Sequence, residues 1–185
     1  MKLFQQSITF FLLALSLAIS STVFAKVINF DDLPSTGDPI TGLYNGFTWN
    51  NVFTDGNYTA ATISGHNVAF NGYGDPASFS STNPFQLNDL YVSMATLSGI
   101  THFEGYVGNT LTFHSDIAAQ TTSATHAIFN WSGLNKVVFY STGPFANSSL
   151  LDNINVTTPV PEPETYALLG LGLIALFSTR KRRSN

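Results

Sequence analysis

Apolar and polar side chains alternate in short runs along the middle of this chain. In the segment KVINFD (26–31), Ile28 and Phe30 fall on one side, in line with Asp32 just beyond. In GFTWNNVF (46–53), Phe47 and Trp49 alternate with Thr48 and Asn50. The same period continues through 58–64, 89–95, 101–108, 110–116, 126–131, 135–141 and 150–157. A repeat of two is that of an extended strand with one covered face, so the pattern predicts nine strands. Between them lie clusters of Gly, Asn, Asp, Ser and Pro, such as NGYGDPAS (71–78) and SSTNP (80–84), which are turn-formers. Nothing between 26 and 160 keeps a helical repeat for three turns. The prediction is an all-β domain over 26–158, an antiparallel β-sandwich or barrel.

Both ends break the pattern. Lys2, a mainly apolar run from Ile8 to Ile19 and the small residues leading to Ala25 have the layout of a secretory signal peptide over 1–25. Signal peptidase is expected to cut between Ala25 and Lys26. At the other end, Tyr166 to Phe177 is uncharged and consists of apolar residues and glycine. With Thr165, Ser178 and Thr179 it makes ~22 Å of helix at 1.5 Å per residue, short for a bilayer core of ~30 Å. The basic group Arg180, Lys181, Arg182 and Arg183 compensates by snorkelling and holds its end in the cytoplasm. Ahead of the helix stands Pro161-Glu162-Pro163-Glu164, whose prolines keep the backbone extended and accessible.

Setting the ends aside changes the charge. Between Lys26 and Thr158 the only cations are Lys26 and Lys136, against nine acids, a formal charge of −7. Such a surface cannot neutralise phosphates, which argues against nucleic acid and anionic lipid headgroups as partners of this region. The chain has no cysteine, which rules out disulfides, a thiol nucleophile and thiolate metal sites.

The stretch VPEPETYALLGLGLIALFSTRKRR (160–183) resembles the PEP-CTERM sorting signal, with its Pro-Glu-Pro motif, short transmembrane helix and Arg-rich tail. The resemblance implies recognition of Pro161, Glu162 and Pro163 by exosortase, a membrane-embedded cysteine protease-transpeptidase. Residues 166–177 would be the retention helix and Arg180 to Arg183 the stop. It further implies transient anchoring in the inner membrane of a Gram-negative bacterium, then delivery to the cell surface or extracellular matrix. The middle is similar to exported jelly-roll domains found among such proteins, through INFDDLP, the Tyr44, Gly46, Phe47 and Trp49 spacing, EGYVGNTLTF, FNWSGLNKVVFYS and LLDNINV. That resemblance implies a jelly-roll, galactose-binding-like sandwich, often without established activity.

Candidate chemistry in the domain is sparse. Alternation places Leu150, Asp152, Ile154 and Val156 on one apolar face, and Asp32 in line with Ile28 and Phe30. A carboxylate there needs partners, and no arginine is at hand. In related folds acids on the first and last strands share a calcium ion. Asp31, Asp32 and Asp152 are therefore candidate ligands for a structural Ca²⁺, set against plain acceptance of backbone N–H bonds. Tyr44, Trp49, Tyr58, Tyr73, Tyr106 and Trp131 are candidates for stacking on sugars, although the alternation marks both tryptophans as packing residues. His66, His102, His114 and His126 lie far apart with no metal-binding pair. Glu104 and Asp116 would serve a glycosidase only if they faced each other across a cleft. No nucleophile elbow is present. The expected role is that of a non-enzymatic, exported surface or biofilm-matrix protein in contact with exopolysaccharide. A secreted carbohydrate-binding module and, less strongly, a secreted hydrolase are the alternatives.

Overall fold

Two segments that alternation separates, 126–131 and 135–141, are halves of one strand in the computed structural model, which describes residues 23–58, 61–142 and 147–159, with Gly170 alone beyond them. The strands are β1 (Val23–Ile28), β2 (Thr36–Pro39), β3 (Leu43–Tyr44), β4 (Phe47–Asn50), β5 (Val52–Asp55), β6 (Val68–Asn71), β7 (Ala77–Met94), β8 (Gly99–Val107), β9 (Thr110–Ala119), β10 (Thr125–Thr142) and β11 (Ser149–Pro159). They form one sheet in the order β2-β5-β6-β11-β7-β10-β8-β9, antiparallel at every step, with β1 on β11, β3 on β4 and β4 on β7. The unit they make runs from Phe24 to Thr158.

This sheet doubles back on itself because β7 and β10 bend. Their pairing slips between Ile128 and Lys136, where Asn130 and Gly133 take left-handed φ values of 53° and 75°. Phe129 and Phe139 would be ~33 Å apart on a straight strand. Yet the ring of Phe103, on β8, lies 5.0 Å from that of Phe129 and 6.3 Å from that of Phe139. Residues 85–94 of β7 therefore join β11, β6, β5 and β2 in one layer. Residues 77–80 of β7 and 136–142 of β10 join β4, β8 and β9 in the other. The result is an antiparallel β-sandwich. Phe47 and Phe79 reach across to Phe85 at 4.9 and 5.9 Å, and the fully buried Phe30, Phe47, Phe79, Phe103 and Phe139 fill the interior. Burial of each such side chain contributes on the order of 2 kcal/mol.

Several expected strands fall differently. The run 46–53 breaks at Asn51, whose φ is 55°, into β4 and β5. The described part of 58–64 is loop, held by side chains from elsewhere, while 68–71 is an unexpected strand and the strand expected over 89–95 begins at Ala77, running through the turn-like residues 80–84. Strand β1 ends at Ile28, and Phe30 is buried with a left-handed φ of 64°, so Asp31 and Asp32 open a turn and do not continue the strand face. Asp152 is also displaced from its expected face. Asn153 has φ 48° and makes a bulge against β7, so Leu151, Ile154 and Val156 enter the main core while Asp152 falls on the side of Leu150.

Among the described residues no helix is long and apolar enough to cross a membrane. The expected span 166–177, Gly170 aside, lies outside the described residues, as do 1–22, Pro161 to Pro163 and the basic tail.

Candidate functional site

The outer face of β8, β9 and β10 carries a patch of interlocked polar and aromatic side chains. Register sets it: His102 lies opposite Asp116 and Tyr140, Glu104 opposite His114 and Val138, and Tyr106 opposite Lys136. Directly opposed residues of an antiparallel pair project on the same side of the sheet.

Each polar group in the patch has a partner. A carboxylate only accepts, so both imidazoles donate to Asp116 Oδ1, His102 through Nδ1 at 2.6 Å and His114 through Nε2 at 2.9 Å. His102 Nε2 lies 2.9 Å from Thr142 Oγ1. Its ring stacks on Tyr140 at 5.0 Å and is nearly parallel to that of His114 at 6.3 Å. Glu104 divides its oxygens between two phenols: Tyr106 donates to Oε2 at 2.6 Å and Tyr140 to Oε1 at 3.2 Å. Lys136 Nζ sits 4.4 Å above the Tyr106 ring, a cation–π contact. The hydrogen bond to Glu104 pushes the Tyr106 hydroxyl pKa up, and burial followed by the same carboxylate raises that of Tyr140. Hydrogen bonding by His102 holds Asp116 below the usual carboxylate range.

The hairpin turn hides this cluster from a reading of the sequence. The pairing of Val107 with Thr110 puts Gly108 and Asn109 at the turn, and an unbroken register from there would set His102 against Ser115. His114 and Asp116 would then face inward. A one-residue bulge at Thr112, between the Tyr106–Leu111 and Gly105–Phe113 pairs, reverses the parity and turns both outward. Phe113 then points inward and stacks on Trp131 at 5.4 Å. Gly105 leaves room for that pair: a Cβ there would come within 2.8 Å of the Trp131 ring. The signal was the pair His-x-Glu-x-Tyr (102–106) and His-x-Asp (114–116), but the bulge that unites them has no signature in composition.

The aspartates singled out as calcium candidates serve a loop. Asp152 is 1% exposed and takes the backbone N–H of Ile63 (2.6 Å) and Ser64 (3.0 Å) on Oδ2 and of Asn153 (2.7 Å) on Oδ1. Burial pushes its carboxyl pKa up, and the three N–H donors oppose the shift. Asp31 Oδ1 accepts from the N–H of His66 (2.6 Å) and Asn67 (3.1 Å), so the two carboxylates hold successive turns of the segment 63–67. Asp32 instead accepts from the Tyr44 hydroxyl at 2.5 Å, and burial together with that bond raises the Tyr44 pKa. Among the described residues the group of three titratable side chains with converging ligand atoms is His102, His114 and Asp116, not this trio.

The remaining candidates scatter. Trp49 and Trp131 are buried, Trp49 donating to the Tyr44 carbonyl at 3.0 Å. Tyr58 packs beside Phe70, and Tyr73 stands 81% exposed at the rim of a cleft of about 350 Å³ lined also by Phe53 and Phe70. His126 belongs to the other layer, against Asp89 at 3.1 Å and stacked on Tyr91. Glu104 and Asp116 share an open sheet face and do not confront each other across a cleft.

Residues 159–183 match the PEP-CTERM protein-sorting motif, which marks the chain as an exported substrate of exosortase. No curated protein matches the chain in sequence. Among solved structures it is similar to a cleaved adhesin domain of Lys-gingipain from Porphyromonas gingivalis, at 10% identity over 73% of this chain and 97% of that one, with a TM-score of 0.46. A family 29 carbohydrate-binding module from Piromyces equi is similar at 11% identity over 74% and 91%, with a TM-score of 0.42. A xylan-binding domain from Paenibacillus barcinonensis is similar at 13% identity over 78% and 99%, with a TM-score of 0.41. These likenesses are distant in both sequence and shape.

Proposed function

We propose that the domain is a non-catalytic component of the bacterial surface or exopolysaccharide matrix and holds polysaccharide on the outer face of β8, β9 and β10. Signal peptidase removes residues 1–25, leaving Lys26 to Ile28 of β1, whose Ile28 remains in the core. The helix over 166–177, stopped by Arg180 to Arg183, keeps the chain in the inner membrane of a Gram-negative cell until exosortase acts at Pro161-Glu162-Pro163. The domain then passes to the surface or matrix.

One observation carries the sugar-binding part. Four rings, His102, His114, Tyr106 and Tyr140, are interleaved with Glu104, Asp116 and Lys136 on one open face and locked by mutual hydrogen bonds and stacking. Rings supply flat apolar faces and the charged groups supply acceptors and donors for hydroxyls, the two contacts a glycan needs. Because the side chains are already ordered, binding sacrifices little rotamer freedom. The excess of acids in the domain favours a neutral polysaccharide over a uronate-rich one.

Affinity electrophoresis in gels cast with neutral or acidic exopolysaccharide tests this. Retardation in the neutral gel, lost in Tyr106→Ala and Tyr140→Ala, is expected; free migration of the parent protein in every gel refutes it. Release of reducing ends that stops in Glu104→Gln would make the protein a hydrolase. Intact mass from hosts with and without exosortase tests the sorting steps. Loss of the tail near Pro161 only when the enzyme is present is expected, and an intact tail in both hosts would reduce Pro-Glu-Pro to a stalk.

A further inference from the structure

We propose that His102, His114 and Asp116 form a zinc-binding site on the exposed face of the β8–β9 hairpin. The site shares His102, His114 and Asp116 with the proposed polysaccharide face but is argued from their donor atoms alone, and zinc binding is measured without polysaccharide. Three donor atoms, His102 Nδ1, His114 Nε2 and a carboxylate oxygen of Asp116, lie within 4.8 Å of one another. Both nitrogens already converge on one point, since each contacts the same Asp116 oxygen, at 2.6 and 2.9 Å. Tetrahedral zinc with ligands at ~2.0–2.2 Å sets its donors ~3.3 Å apart. The two nitrogen–oxygen distances therefore have to open by less than ~1 Å to admit the ion.

The surroundings suit a metal ligand set. Zinc at His102 Nδ1 requires the ring proton on Nε2, and Thr142 Oγ1 stands 2.9 Å from that nitrogen to accept it. The His102 ring is held in plane against Tyr140. Zinc at His114 Nε2 likewise places that ring's proton on Nδ1. The two imidazoles are borderline nitrogen donors that favour zinc over calcium, which prefers oxygen alone. With the His114 and Asp116 side chains about half exposed, at 50% and 49%, a further coordination position is open to water.

The test is calorimetric titration of the full-length protein with zinc chloride, alongside His114→Ala, Asp116→Asn and a His66→Ala/His126→Ala double variant. The expected result is one zinc bound with micromolar affinity, weakened at least ~10-fold in each single variant and unchanged in the double variant. Both single changes fall on half-exposed side chains, and a melting curve confirms that each variant is folded. Cobalt(II) in place of zinc should give the strong visible absorption of a four-coordinate ion, absent from Asp116→Asn. Absence of stoichiometric zinc binding by the parent protein overturns the site. So does binding of equal strength in His114→Ala and Asp116→Asn.

Discussion

Replacing Asp152 by alanine removes the acceptor from three backbone N–H groups at once, those of Ile63, Ser64 and Asn153. Each unsatisfied buried donor costs ~1–3 kcal/mol. All three bonds are only partly buried, so water reaches the loop and the lower end applies, about 3 kcal/mol in all. Asp31 continues to hold His66 and Asn67, which confines the damage to the first half of the loop. For a unit spanning Phe24–Thr158, an unfolding entropy of ~2.1 cal/mol/K per residue converts that loss to a melting point lower by ~10 °C. Asp152→Asn is the informative companion. It keeps an acceptor oxygen for Ile63 and Ser64 and discards a charge that burial disfavours, but sets its NH2 against the Asn153 N–H, so it should lose only ~1–2 kcal/mol, clearly less than Asp152→Ala. Burial also makes the folded state bind the Asp152 proton more readily than the unfolded chain does. Its titration therefore favours folding most below the unfolded carboxylate range near pH ~4, and this contribution fades as pH rises through the higher folded value. Scanning calorimetry across that range should show the parent losing this term while Asp152→Asn does not. A melting point for Asp152→Ala within ~2 °C of the parent would refute the clamp, because at ~0.3 kcal/mol per degree it leaves less than one hydrogen bond unaccounted for.

Other perturbations follow from the same contacts. In Gly105→Ala the new methyl meets Trp131 at 2.8 Å, Leu134 at 2.9 Å and Phe113 at 3.2 Å; overpacking should cost ~1–3 kcal/mol in a urea melt and weaken any ligand of the overlying patch. In Gly65→Ala, at a φ of +54°, the new Cβ would overlap the Asp31 carboxyl group. Asp31 must then leave His66 and Asn67, for about 3 kcal/mol by chemical denaturation. Calcium against chelator is the third comparison. With both oxygens of Asp152 and one oxygen each of Asp31 and Asp32 accepting from N–H or O–H donors, the melting point should be the same in both, and a rise of several degrees with calcium would establish these side chains as ligands.

The parts of this molecule legible in the sequence are those governed by period alone. Strands β8 and β9 sit where alternation puts them, and Trp49 and Trp131 are buried as their neighbours imply. Composition misleads where long-range pairing overrides local preference. Residues 77–80 sit between two turn-like clusters, yet they are strand, because β4 on one side and the far half of β10 on the other supply hydrogen-bond partners and Phe79 fills the core between them. The opposite failure, reading 61–64 as strand, has its cause 89 residues away, where Asp152 draws Ile63 into a loop.

Most of the site was hidden for a single reason. Side-chain direction in a strand depends on parity, and one extra residue reverses it for everything beyond. Asn153 does this in β11, taking Asp152 out of the main core and into reach of a loop, and Thr112 does it in β9, bringing His114 and Asp116 round to His102. Asn153 carries a local signal, since Asn is poor in strands and tolerates the left-handed φ that Asn51 and Asn130 also adopt, whereas Thr112 is a good strand former and gives none. The histidines that seemed scattered are separated by a turn, and only the count of residues between turn and bulge makes them neighbours. Chemistry on such a sheet is therefore decided by where its bulges fall. Inserting one residue after Thr112 should turn His114 and Asp116 inward and abolish the cluster, whereas deleting Thr112 should leave it in place, because the unbroken register then sets Asp116 opposite His102.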